Sequence, residues 1–229
     1  RKWGFHGASH RYIAYRSAQI LGRNDARVIS CHLGGSSSIT AIDRRESVQT
    51  TMGMTPQTGL PQNNRVGDFD PFALPLILQR TGLSLDEALR QLASQGGLLG
   101  LSKHSGDVRD LEQAADDGDQ QSKLALDVFI QEIRRHLGGM LVALGGADAI
   151  VFTGGIGENG TRIREGVCRG LDELGIGLDS AANASLRDRA NALGEASFHS
   201  EGSKTELWVI PTNEEVIVAR QTILALKNS

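Results

Sequence analysis

A layered α/β domain is the fold class that this 229-residue sequence predicts, and three stretches predict it. Ala149 to Phe152 is apolar as a strand covered on both faces should be, a glycine turn follows, and Ile163, Val167, Leu171 and Leu174 then recur at helical spacing. Leu207 to Ile210, the turn Pro211-Thr212-Asn213 and a helix from Glu214 to about Leu226 repeat that order. Short runs between Val28 and Thr51 read as a β-meander. Strands that feed helices through glycine turns at their C-terminal ends build layered sheets of this kind.

Taken in order, the first helix is predicted from about Ser9 to Leu21. Val28 to Leu33 follows as a buried strand, then Ser38 to Asp43 and Ser47 to Thr51, joined by the polar turn Asp43-Arg44-Arg45-Glu46. Residues 53 to 71 hold three of the five prolines with several Gly and Asn, the composition of a long irregular loop, and loops of that length carry sites. Helices are predicted at about Phe72 to Arg80, Leu85 to Ala93 and Val108 to Asp116. The longest spans about Gln120 to Leu144, where Leu126, Phe129, Ile130, Ile133, Leu137, Met140, Leu141 and Leu144 form one apolar stripe that belongs to the core. Residues 180 to 205 are polar and poorly periodic and read as a surface excursion.

Composition excludes several functions. Twenty-four basic and 27 acidic residues leave a net charge of −3, so no broad positive field attracts nucleic acid. No apolar run is long enough to cross a bilayer, and Arg-Lys-Trp-Gly at the start lacks a signal-peptide core, which makes the expected location cytoplasmic. Cys31 and Cys168, one in a strand and one on the apolar side of a helix, are expected as small core residues rather than a disulfide or metal pair.

Several constellations could carry chemistry, each with a plainer reading beside it. His6 and His10 stand four apart like zinc-helix ligands, but Gly7 occupies the place of the metalloprotease Glu and no third ligand is evident. The plainer reading is capping by Ser9 with one histidine solvated; the functional one is donation from His6 to a charged oxygen. His32-Leu33-Gly34-Gly35-Ser36-Ser37-Ser38 is either a hairpin turn or a phosphate cradle rich in donors. Arg65 is either stapled to Asp68 or Asp70 or free to reach a transferring phosphoryl group. Asp107 suits an N-cap and Arg109 an exposed charge, while Glu214 and Glu215 suit a helix first turn or a water-mediated Mg²⁺. The glycines of 154 to 157 would leave backbone N–H groups open to a ligand at a helix N-terminus. Gly155-x-Gly157-x-x-Gly160 with Asp179 also fits the dinucleotide fingerprint of a dehydrogenase.

Six ordered motifs, Gly-Phe-His-Gly-Ala-Ser-His, Cys-His-Leu-Gly, Arg-Val-Gly-Asp-Phe-Asp-Pro, Asp-Val-Arg-Asp, Phe-Thr-Gly-Gly-Ile-Gly-Glu-Asn and Ile-Pro-Thr-Asn-Glu-Glu, together resemble the acetate kinase family, which includes propionate kinases. The resemblance implies an α/β, ribonuclease-H-like domain of the acetate/sugar kinase, actin and heat-shock chaperone superfamily. It implies exchange of phosphate between ATP/ADP and a short carboxylate, giving an acyl phosphate, with Mg²⁺. By that similarity His6 stabilises the transferring phosphoryl group with Arg65 as its partner. His32, Leu33, Gly34, Gly35 and Ser36 match the second phosphate loop, and Asp107, Val108 and Arg109 line the nucleotide. Gly155, Ile156, Gly157, Glu158 and Asn159 match the adenosine loop, Glu214 matches a Mg²⁺-associated glutamate, and Phe5 and Pro56 match a pocket for the acyl methyl group. The complete protein is expected to be a homodimer.

Two departures stand out. Family members usually read His-Leu-Gly-Asn-Gly, whereas this chain has His32-Leu33-Gly34-Gly35-Ser36, which removes an amide side chain from the phosphate loop. Before Arg65 the usual Met-Met-Gly-Thr is replaced by Pro61-Gln62-Asn63-Asn64, and the usual Ser after it is Val66. Family chains also begin with a further half carrying the first phosphate loop, a carboxylate-holding arginine and a catalytic aspartate. Residues 1–229 are therefore expected to be the C-terminal nucleotide-binding domain plus a final helix that returns to the hinge, with the N-terminal half as missing partner and little turnover by this chain alone. A non-catalytic nucleotide-binding module and, more distantly, an NAD-dependent dehydrogenase are the rival readings.

Overall fold

The computed structural model describes residues 2–186 and 194–227. Helix α1 (Gly7–Ile20) leads into a meander of β1 (Arg27–His32), β2 (Ser38–Asp43) and β3 (Glu46–Thr50). After an irregular stretch, a 3-10 turn at Pro71–Ala73 opens a helical region: α2 (Leu74–Thr81), α3 (Leu85–Ser94), α4 (Gly97–Ser102), α5 (Val108–Asp116) and α6 (Gln120–Leu144). Strand β4 (Ala149–Thr153) runs through a turn into α7 (Gly154–Asn159) and α8 (Thr161–Cys168). Helix α9 (Ser180–Ser185), strands β5 (Ala196–Ser197) and β6 (Glu206–Val209) and helix α10 (Glu214–Lys227) complete the order.

The strands form one six-stranded sheet in the order β3-β2-β1-β4-β6-β5. β1, β4 and β6 are parallel at its centre, and the meander and β5 extend it antiparallel on either side. Central parallel strands are covered on both faces, so their apolar runs are continuous: β4 is buried at every position. The two-residue period of a strand divides those side chains between two cores. Ile29, Cys31, Ile150, Phe152, Leu207 and Val209 meet Leu126, Phe129, Ile133, Leu137 and Met140 of α6 on one face. Val28, Ile42, Val151 and Ile210 meet Ile13 and Ala14 of α1 on the other. Helix α6 starts at Asp119, whose carboxylate accepts from Ser122 N, and ends at Gly145 in the left-handed region, φ 66°. Both cysteines are buried free thiols.

Three expectations need adjustment. Helix α8 stops at Cys168, so Leu171 and Leu174 fall in a following turn and Leu174 is exposed. Helix α4 lies in a stretch with no helical signal, because six residues with two glycines show no periodicity. The supposed excursion over 180 to 205 contains α9 and β5, while its residues 187–193 lie outside the described ones.

Candidate active site

The site residues gather at the C-terminal ends of β1 and β4, the edge where open α/β sheets bind ligands. Past β1, Leu33 N donates to Thr153 O at 2.8 Å, and Leu33 O accepts from Ile156 N and Gly157 N at 2.9 and 3.1 Å. Gly154 has φ 76°, and a Cβ there would lie 2.8 Å from Leu33 O, so only glycine lets the two strand ends meet. Gly154 N donates to Glu158 Oε1 at 2.9 Å, and the same oxygen accepts from Thr212 N at 3.4 Å. This corrects the expectation of a turn with its donors open: three of its N–H groups are used within the protein. A Cβ on Gly157 would stand 3.3 Å from Phe152 C, whereas one on Gly155 would meet nothing within 4 Å. Gly155 therefore leaves room for a ligand, Glu158 ties the two strand-end turns together, and the exposed Asn159 donates to Gly155 O.

Three histidines converge beside this edge. His6 sits before α1 in the left-handed region at φ 57°, and its ring stacks on His32, with centroids 4.2 Å apart and planes at 18°. His6 Nδ1 and His10 Nε2 each share a hydrogen bond with Ser38 Oγ at 2.8 Å. His10 Nδ1 bonds Ser30 Oγ, and His32 Nδ1 bonds Ser9 Oγ, both at 2.8 Å. His10 is therefore neither solvated nor a zinc ligand; it is buried and held by serines from β1 and β2. Burial first, and then His32 and His6 beside it, lower its pKa to about 3. Burial, then His6, lowers His32 to about 4, and burial, then the Arg65 cation, lowers His6. All three rings are therefore neutral near pH 7. Ser38 has one proton for two imidazoles, and when it donates to His6 Nδ1 the neutral ring carries its proton on Nε2 as a donor.

Arg65 faces the same loop. Its Nη1 donates to Ser36 Oγ at 3.2 Å and to Gln62 Oε1 at 3.1 Å, and Gln62 Nε2 donates to Pro56 O at 2.7 Å. The staple to Asp68 or Asp70 does not form: Asp68 accepts from Gly59 N, Asp70 from Phe72 N, and among the described residues no carboxylate lies within 4.0 Å of Arg65. The loop is fixed on α4, whose Leu98 N and Leu99 N donate to Gln62 O and Asn63 O at 2.8 Å. Gly97, at φ 59°, is required because a side chain there would collide with the Gln62 and Arg65 carbonyls.

The remaining residues are less converged. Asp107 caps α5 and holds the exposed Arg109 through Nε and Nη2 at 3.0 and 2.6 Å, which is the plainer reading of both. Val108 is buried in the main core. Phe5 and Pro56 are half-buried, and Glu214 and Glu215 present exposed carboxylates in the first turn of α10. Among the described residues no group of three His, Cys, Asp or Glu is placed to hold a metal. No helix among them is long and apolar enough to cross a membrane. Asp179 accepts from Ala182 N as the cap of α9, so the acid of the dinucleotide fingerprint has a structural task.

Sheet order and site position define a domain of the acetate/sugar kinase, actin and heat-shock chaperone fold. The acetokinase family model matches residues 1–220, and the chain belongs to that family. The acetate kinase of Heliobacterium modesticaldum is 44% identical over 229 residues, covering 99% of this chain and 56% of that protein. That of Bacillus subtilis is 42% identical over 230 residues, 99% and 56% respectively. Among solved structures, the Porphyromonas gingivalis acetate kinase superposes with a TM-score of 0.92 at 36% identity, covering 99% of this chain and 56% of that one. The propionate kinase of Francisella tularensis gives 0.87 at 37%, covering 96% and 54%. The chain thus spans about half the length of these relatives. Neither the dehydrogenase nor the non-catalytic module gains support from them.

Proposed function

We propose that this chain is the C-terminal, nucleotide-binding part of a kinase that interconverts ATP and a short carboxylate, acetate or propionate, with ADP and the acyl phosphate. The observation that carries it is the convergence of His6, His32 and Arg65 on the Gly34 to Ser36 turn at the C-terminal ends of the parallel strands. Neutral imidazoles and one guanidinium without a carboxylate partner are donors suited to an anion that shifts charge as it transfers. In the reaction a carboxylate oxygen attacks the γ-phosphorus in line, and the new O–P bond forms as the bond to the ADP oxygen breaks. His6 and Arg65 donate to the transferring phosphoryl oxygens, and Leu33 to Ser36 line the remaining phosphates. Asp107, Arg109 and Gly155 to Asn159 face the nucleoside, with Arg109 released from Asp107 as it binds. Phe5 and Pro56 bound the acyl group.

Glu214 offers exposed oxygen of the kind Mg²⁺ accepts through water, and the cation would neutralise phosphate charge there. A complementary half supplies the groups that hold the carboxylate, and the completed protein is a cytoplasmic homodimer. The test is acyl phosphate formation, trapped as hydroxamate, by the 229-residue chain alone and mixed with a matching N-terminal half. Turnover only on mixing is expected; robust turnover by the chain alone, or none with either, would overturn the reading.

A further inference from the structure

The two departures from the family motifs meet in space. Asn63 lies over Gly35: a Cβ built on Gly35 would stand 3.4 Å from Asn63 Nδ2, 3.7 Å from Oδ1 and 3.8 Å from Cγ. These are ordinary van der Waals distances, so the Asn63 carboxamide covers the face of Gly35 on which a side chain would stand. In the usual pattern the loop position held by Gly35 is Asn and the position held by Asn63 is Gly, so the amide and the vacancy have changed places.

The Asn63 backbone has little freedom to withdraw. Its carbonyl accepts from Leu99 N at 2.8 Å, its N–H reaches Gly35 O at 3.5 Å, and Gly106 is packed so closely that a Cβ there would lie 2.7 Å from Asn63 Cβ. The residue is half-buried, and its carboxamide, which is not among the buried polar groups, makes no hydrogen bond to the described residues. Close by in the two loops, Arg65 Nη1 donates to Ser36 Oγ at 3.2 Å. An amide that is held in place, open to solvent and without a protein partner is free to donate to an incoming anion.

We propose that Asn63 supplies to the nucleotide phosphates the side-chain amide donor that the Gly34 to Ser36 turn lacks, and that Gly35 and Asn63 act as one coupled pair. This rests on the phosphoryl-transfer reading above. Its ligand class is a nucleoside di- or triphosphate, recognised at a phosphate oxygen. The departure therefore moves the donor from one loop to another and keeps the site's chemistry.

The test is titration of the 229-residue chain with ADP, ATP and adenosine by calorimetry. Asn63→Gly should weaken ADP and ATP roughly tenfold or more, the loss expected for one hydrogen bond to a charged oxygen. Gly35→Asn alone should weaken them comparably because it meets the Asn63 amide, and the double variant should return to within about threefold of the parent. Asn63→Asp keeps the shape if the glycine variant unfolds, and it should weaken ADP and ATP while adenosine binds as before. Nucleotide affinity unchanged in Asn63→Gly or Asn63→Asp would overturn the inference alone, as would a double variant no better than Gly35→Asn. A parent chain that binds no adenine nucleotide would overturn this inference and the functional reading together.

Discussion

Acidification should destabilise this domain through its histidines before its carboxylates titrate. His10 is 5% exposed, and its folded pKa falls from 6.5 to about 3. A base whose folded pKa is lowered contributes stability that is present above the unfolded pKa and is lost as pH falls toward the folded one. Between about pH 7 and about pH 5 the unfolded chain takes up roughly 0.7 of a proton at this site and the folded chain almost none, a loss of about 2 kcal/mol. His32 adds to the loss over the same range until its own folded value of about 4. That is a large share of the roughly 5 to 15 kcal/mol that holds a domain folded. Urea unfolding at stepped pH measures it, and a His10→Gln variant removes one titrating group. The parent should lose about 2 kcal/mol more than the variant across that range. Equal slopes for the two proteins would refute the assignment of His10 as a neutral buried group.

Three further outcomes are expected. In the complete enzyme Arg65→Ala should lower kcat roughly a hundredfold or more with a smaller change in nucleotide affinity, and an unchanged kcat with raised KM would count against its role in the transition state. Gly155→Val should weaken ATP binding with native far-UV circular dichroism, whereas Gly157→Val should lower the melting temperature because its side chain meets the end of β4; similar behaviour in both variants would contradict the difference in space around them. Phe129→Ala should cost about 3 to 5 kcal/mol in urea unfolding, since the ring is fully buried between α6 and the sheet, and a loss under about 1 kcal/mol would exclude that packing.

Legibility in the sequence followed the range of the interactions. Helices α5 and α6 could be bounded to the residue, because Asp107 and Asp119 cap locally and Gly145 ends the second in the left-handed region. The parallel strands were legible as apolar runs because burial on both faces leaves no alternation. Helix α4 was not, since its first N–H groups are satisfied by carbonyls of the Arg65 loop and Gly97 serves that contact. His6 and His10 both stood out at a helix start, but the burial of His10 did not: its serine partners arrive on β1 and β2, and only the folded sheet brings them together. The glycine turn after β4 was found for the right residues and read with the wrong donors. Its amides hold Leu33, and pattern alone does not distinguish a glycine that admits a ligand from one that admits a neighbouring strand.

Gln62 shows how the replaced segment before Arg65 can retain its purpose. Only 1% of this polar residue is exposed, which would be unfavourable if its amide were unsatisfied. Both ends are used: Nε2 donates to the Pro56 carbonyl, and Oε1 accepts from Arg65. A methionine in its place would leave that carbonyl and that guanidinium nitrogen each without this partner. On the proposed reading Pro56 bounds the acyl group and Arg65 meets the phosphoryl group, so one side chain spans the two groups that must come into line. Misplacement of a reacting group by about 1 Å can cost on the order of a hundredfold in rate. On that reading the polar residue at position 62 fixes the spacing between Pro56 and Arg65, and the amide proposed to meet the phosphates follows it at position 63.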